Sequence, residues 1–165
     1  MRRALLLTFF SVSALAAATV FADAEYKTIR MEVDVARPAQ EVWAKVGHYC
    51  DIATWMKVDC KITSGDGEIG TVRSLAGGRV TEVLVGKTDL SYGYTQPAKE
   101  GQFYNLYHGF LEAKPVTDKT SKLIYTLVYD VSDKPDQAAK DADAAARRTR
   151  FEAALKSMKE LAEAP

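Results

Sequence analysis

From residue 58 onward the chain reads as a series of short β-favouring runs parted by turns, and at residue 136 it changes to one helix lasting to residue 164. One amphipathic helix and one antiparallel sheet, neither able to hide an apolar face alone, must bury those faces against each other. The helix is rich in Ala, Lys, Glu and Arg, all strong helix formers. Phe151, Leu155, Met158 and Leu161 or Ala162 make its apolar stripe, which Ala144 and Arg147 or Arg148 extend upstream.

A further strand precedes this series. Met31, Val33 and Val35 alternate with Arg30, Glu32 and Asp34, which is period two. Arg37-Pro38 ends it. Pro38 and Glu41 suit the first turn of a helix, and Val42, Trp43 and Val46 give that helix its stripe before Gly47 stops it. A second helical turn is expected around residues 50–56, with Ile52, Trp55 and Met56 inward. Strands are expected at residues 58–63, 70–75, 79–85, 90–95, 102–113 and 122–131. Turns are expected at 64–67, 76–78, 86–89 and 114–121, and a loop at 96–101. The expected class is α+β: strand, two short helices, six strands, long helix.

The N-terminus reads as a separate unit. Arg2 and Arg3 are followed by an uncharged, Leu-, Phe- and Ala-rich run over residues 4–21, then by Ala22 and Ala24 around Asp23. A basic start, an apolar middle and an A-x-A site make a secretory signal peptide, with cleavage after Ala22 or Ala24. The expected organisation is a signal peptide at 1–24 and one domain at 25–165, periplasmic or secreted. There is no second long apolar run, so no membrane span is expected after cleavage. Basic and acidic residues number 22 each, and losing Arg2 and Arg3 leaves the mature chain slightly acidic. That balance gives no broad attraction to nucleic acid or anionic lipid. In an oxidising compartment Cys50 and Cys60 are expected to form a structural disulfide; two separate buried thiols are the alternative.

No Gly-x-Ser-x-Gly elbow, phosphate-cradling glycine loop or metal-spaced His pair occurs, so no metal or cofactor is expected. The two histidines differ. His48, at a helix end, reads as solvated. His108 lies mid-strand, and alternation sets Tyr104, Leu106, His108 and Phe110 on one face. If that face is inward, His108 can orient a ligand or shuttle a proton; otherwise it is a hydrogen-bonded surface histidine. Tyr92, Tyr94, Tyr104, Tyr107, Tyr125 and Tyr129 all fall in strands. Their apolar bodies and polar tips suit a ligand cavity, but any single one reads first as a core or cross-strand residue, and Trp55 and Phe151 share that ambiguity.

The order of elements and several segments together resemble the SRPBCC superfamily, the START or Bet v 1-like helix-grip fold, and within it the polyketide cyclase/dehydrase branch. The segments are Ala36-Arg37-Pro38-Ala39-Gln40-Glu41-Val42-Trp43, Val46-Gly47-His48-Tyr49 six residues before Trp55, Gly70-Thr71-Val72-Arg73, Thr81-Glu82-Val83-Leu84 and Leu90-Ser91-Tyr92-Gly93-Tyr94. The resemblance covers residues 26–163. It departs at Met56-Lys57-Val58, where many members carry a His-Pro pair, and in the signal peptide. It implies a seven-stranded sheet wrapped around the last helix, with a cavity between them for a lipid, polyketide or aromatic molecule. It also implies an inward position for Glu82, where a buried charge needs a partner such as Arg73; a solvent-facing Glu82 and an outward Arg73 are the alternatives. The expected ligand-binding set is Trp55, Arg73, Glu82, Tyr92, Tyr94, His108, Tyr125 and Phe151. The expected function is an exported binding or carrier protein for a hydrophobic or amphipathic small molecule. One alternative is a cyclase, dehydratase or isomerase using His108, Glu82 and a tyrosine as acid–base groups. Another is a non-catalytic interaction module whose cavity is filled by side chains.

Overall fold

A computed structural model describes residues 24–98 and 106–165. The expected signal segment, Tyr104 and the start of the strand expected at 102–113 lie outside them. β1 (Tyr26–Val35) leads into α1 (Ala39–Val46) and the single turn α2 (Ile52–Trp55). Then come β2 (Cys60–Ser64), β3 (Val72–Leu75), β4 (Val80–Thr88), β5 (Ser91–Thr95), β6 (Tyr107–Thr117), β7 (Thr120–Asp130) and α3 (Gln137–Glu163). The seven strands form one antiparallel sheet in the order β1-β7-β6-β5-β4-β3-β2. This is the expected helix-grip architecture.

Two expected turns are strand instead. Residues 86–88 continue β4, which absorbs Val85 as a register shift between Leu84 and Gly86 opposite β5. Residues 114–117 continue β6, so its hairpin with β7 turns only at Asp118 and Lys119. In both places polar, turn-favouring residues sit on the exposed ends of long strands, where pairing outweighs composition.

α3 starts at Asp136, whose carboxylate accepts from the Ala139 amide at 2.8 Å. Its C-terminal half lays Phe151, Ala154, Leu155, Met158 and Ala162 on the sheet, all buried. Each large side chain removed from water there stabilises by about 1.5–3 kcal/mol. They meet Leu111, Leu123, Tyr125 and Leu127 from β6 and β7, and Val42 and Val46 from α1. Farther upstream the same stripe carries Ala144 and Arg147, neither of which fills the space beneath the helix. Cys50 and Cys60 are bridged, with Cα atoms 5.5 Å apart, tying the α2 segment to β2.

Candidate ligand-binding site

The β3–β4 hairpin positions the most buried charges of the described residues. Its turn occupies Ala76, Gly77, Gly78 and Arg79, the first three with positive φ (54°, 66° and 88°). Glycine adopts this conformation without strain. Leu75 then pairs with Val80, and Arg73 falls directly opposite Glu82. Both side chains point inward, Arg73 at 0 % and Glu82 at 4 % exposure. Arg73 Nε and Nη2 both donate to Glu82 Oε2, at 2.8 and 2.6 Å, and Nη1 donates to the Tyr49 carbonyl. The guanidinium lies 4.1 Å from the Tyr49 ring centroid and 5.0 Å from that of Tyr94. Burial alone would push the Arg73 pKa down; the neighbouring Tyr92 and Glu82 oxygens reverse this and hold it above its ordinary value.

Beside this pair a cavity of about 380 Å³ opens between α3 and the sheet, within the roughly 300–1,000 Å³ span of small-molecule sites. It lies where α3 presents Arg147 rather than a large apolar side chain. Phe151, Leu75 and Val80 give it apolar walls, and Met56 and Val58 close it from the segment after α2. Glu82, Gln96, Tyr94, Tyr107 and Tyr129 are its inner polar groups. Gln96 Nε2 donates to Glu82 Oε1 at 3.3 Å, and the Tyr94 and Tyr125 hydroxyls lie 2.8 Å apart. Gly109 makes this possible. A Cβ there would stand 2.3 Å from the Tyr94 ring, so only glycine lets that ring lie across β6. At the mouth, Arg147 Nε and Nη2 pair with Asp143 at 2.7 and 3.3 Å. Its guanidinium sits 4.3 Å from the Tyr129 ring centroid.

The expected site residues separate into layers. Glu82, Tyr94 and Phe151 line the cavity. Arg73 stands behind Glu82. Tyr125 stands behind Tyr94 and Phe151, with its ring centroid 4.6 Å from that of Phe151. Tyr92 faces a separate hollow of about 360 Å³, with Trp43 and Tyr49. Trp55 is a core residue whose indole N–H donates to the Val46 carbonyl at 3.3 Å. His108 is a correction to the inward reading. It pairs with Val128 and Thr95 and shares its face with exposed Phe110, whereas Gly109, Leu111 and Ala113 turn inward. His108 and Glu82 therefore lie on opposite faces of the sheet and cannot act as one acid–base pair. Tyr107 and Tyr129, which the sequence left open between cavity and core, line the cavity, and Gln96, Arg147 and Arg150 line it without having been expected there. The absence of a large apolar residue from the α3 stripe at Arg147 is the sequence signal that could have found the arginines.

Burial pushes Tyr129 up to about 12 and raises Tyr49, Tyr92, Tyr94, Tyr107 and Tyr125 above the usual tyrosine range. A group whose folded pKa is raised contributes stability that is complete below its unfolded value, about 10, and lost as pH rises through the folded value. The protein is therefore expected to hold full stability to about pH 10 and to unfold cooperatively as pH climbs toward and past 12. Phenolate absorbance at 295 nm should then rise together with loss of the far-UV circular dichroism. Ionisation of these tyrosines near pH 10 with the dichroism intact would contradict their burial.

Residues 27–163 match the family model described as polyketide cyclase / dehydrase and lipid transport. The chain belongs to that family. Solved structures agree on the fold. The Zhui aromatase/cyclase from Streptomyces sp. R1128 superposes with a TM-score of 0.65 at 18% identity, over 84% of this chain and 94% of that one. Norcoclaurine synthase from Thalictrum flavum gives 0.62 at 16%, over 88% and 98%. A Thermobifida fusca protein solved by NMR gives 0.64 at 24%, over 82% and 92%. No curated protein sequence matches the chain.

Proposed function

We propose that this polyketide cyclase/dehydrase-family protein is an exported binding or carrier protein for a hydrophobic or amphipathic small molecule, held between α3 and the sheet. The observation that supports this most is the cavity of about 380 Å³, with apolar walls and a polar inner end whose one ion pair is already internally balanced. Export is supported by the basic-then-apolar N-terminus and by the Cys50–Cys60 bridge, which suits an oxidising compartment.

Native mass spectrometry of protein purified from the periplasm under mild conditions tests this reading. A stoichiometric extra mass is expected. Val80→Trp, which places an indole in the cavity, should lose that mass while keeping its thermal midpoint within a few degrees. An adduct retained by Val80→Trp would move the ligand elsewhere. A clean apo mass for the unaltered chain would count against a tightly held cargo.

A second reading is favoured by one specific feature. The Tyr94–Tyr125 hydroxyl pair, beside Glu82, gives the cavity a hydroxyl donor next to a carboxylate. Burial keeps both phenols protonated, which suits a proton donor rather than a base. Two fold neighbours are named as enzymes, an aromatase/cyclase and a synthase. An enzyme would lose turnover in Tyr94→Phe while keeping ligand affinity.

A further inference from the structure

Within the binding reading proposed above, the geometry points to a fixed ligand polarity. A neutral hydrogen-bond donor, a phenol or alcohol, enters first and meets Glu82, and a carboxylate stays at the mouth beside Arg150 and Arg147. The two ends of the cavity differ in depth and in unused hydrogen-bonding capacity.

At the inner end Glu82 is 4 % exposed and lines the cavity. Arg73 takes its Oε2 twice, and Oε1 receives only the longer 3.3 Å bond from Gln96. A carboxylate oxygen accepts about two hydrogen bonds, so Oε1 has room for a donor from the ligand. Arg73 already balances the charge of Glu82. A ligand ammonium there would add an uncompensated buried charge, and a ligand carboxylate would stand against Glu82. A neutral O–H fits without either cost.

At the outer end Arg147 and Arg150 are three residues apart on α3, on neighbouring positions of one helix face, and both line the cavity. Asp143 and the Tyr129 ring hold Arg147 in place. Arg150 is exposed and has no hydrogen bond or ion pair among the described residues. The other charges lining this end are already engaged. Asp133 pairs with Lys134 at 3.1 Å, and Asp130 accepts from the Ser132 amide and hydroxyl. Asp130 has no ion-pair partner among the described residues, and Arg150 is the cation left at this end for an anionic ligand group.

Calorimetric titration of the mature protein with 6-hydroxy-2-naphthoate, 2-naphthoate and 2-naphthol tests the polarity. The hydroxy acid should bind about tenfold more tightly than either singly substituted compound, the size of one charge-assisted hydrogen bond. Arg150→Glu, a change at an exposed position, should weaken the hydroxy acid and 2-naphthoate about tenfold and leave 2-naphthol unchanged. The paired variant Arg73→Met with Glu82→Leu, which leaves no lone buried charge, should erase the advantage of the hydroxyl and keep that of the carboxylate. Equal affinity for all three compounds, or an Arg150→Glu effect that ignores the carboxylate, overturns the polarity and leaves the binding reading standing. Failure of all three to bind overturns both.

Discussion

Arg73→Met lowers the unfolding free energy by about 3–5 kcal/mol, and adding Glu82→Leu to it recovers most of that loss. Neither effect depends on the attraction between the charges being large. Methionine leaves the Glu82 carboxylate inside the protein with Gln96 as its remaining partner, and an uncompensated buried charge is what destabilises. Removing both charges lets two apolar side chains of similar volume pack against Tyr49 and Tyr94, which already surround the site. Urea denaturation followed by circular dichroism measures this. The single variant should shift the midpoint down by about 2 M and the paired variant by much less. Equal losses in the two variants would mean that the pair stabilises through its own bonds. A negligible loss in the single variant would mean that water reaches Glu82.

Removing the disulfide, as Cys50→Ser with Cys60→Ser, should cost about 2–3 kcal/mol, because the bridge restricts the unfolded chain over a short loop. The native state should suffer as well. The bridge anchors the segment that supplies Ile52, Met56 and Val58 to the cavity wall. Ligand affinity is therefore expected to fall in the double serine variant even well below its melting temperature. The check is calorimetry at 15 °C on the oxidised, dithiothreitol-reduced and double serine forms. Reduced and serine forms should agree with each other and differ from the oxidised one. Unchanged affinity would show that this wall is held by packing alone.

The architecture was legible because it rests on periodicity over long stretches. The alternation from Met31 to Val35 and the stripe from Phe151 to Met158 each repeat enough times to settle an element and its buried face. The candidate site was less legible because it depends on counting single residues. If Arg79 is placed in the strand, the hairpin turn has three residues and Glu82 faces Val72, so Arg73 and Glu82 fall on opposite faces. In the structure the turn takes Arg79, and Leu75 pairs with Val80. One residue of slip exchanges the two faces of a strand. His108 shows the same sensitivity: alternation cannot tell by itself which set of a strand's residues turns toward the helix, and the set of Gly109 and Leu111 does so. A cavity was implied by the family resemblance, but its position along α3 was hidden for another reason. It forms where large side chains are missing from a stripe, and Arg147 reads equally well as a solvated helix residue.

The pairing of β1 with β7 governs when this domain can come into being. Tyr26 is joined to Asp130 and Val35 to Ser121, so the first strand has its partner roughly a hundred residues downstream. A nascent chain can build the hairpins from β2 to β6 as it lengthens, but β1 waits until β7 exists, and α3 comes later still. Synthesis at about 5–20 residues per second makes that wait several seconds long. Throughout it, β1 carries Arg30, Glu32 and Asp34 on alternate positions, charges that discourage an open strand from pairing with a stranger. A protein whose first strand pairs with its last has an incomplete sheet until nearly the whole chain is made, however early its middle hairpins form.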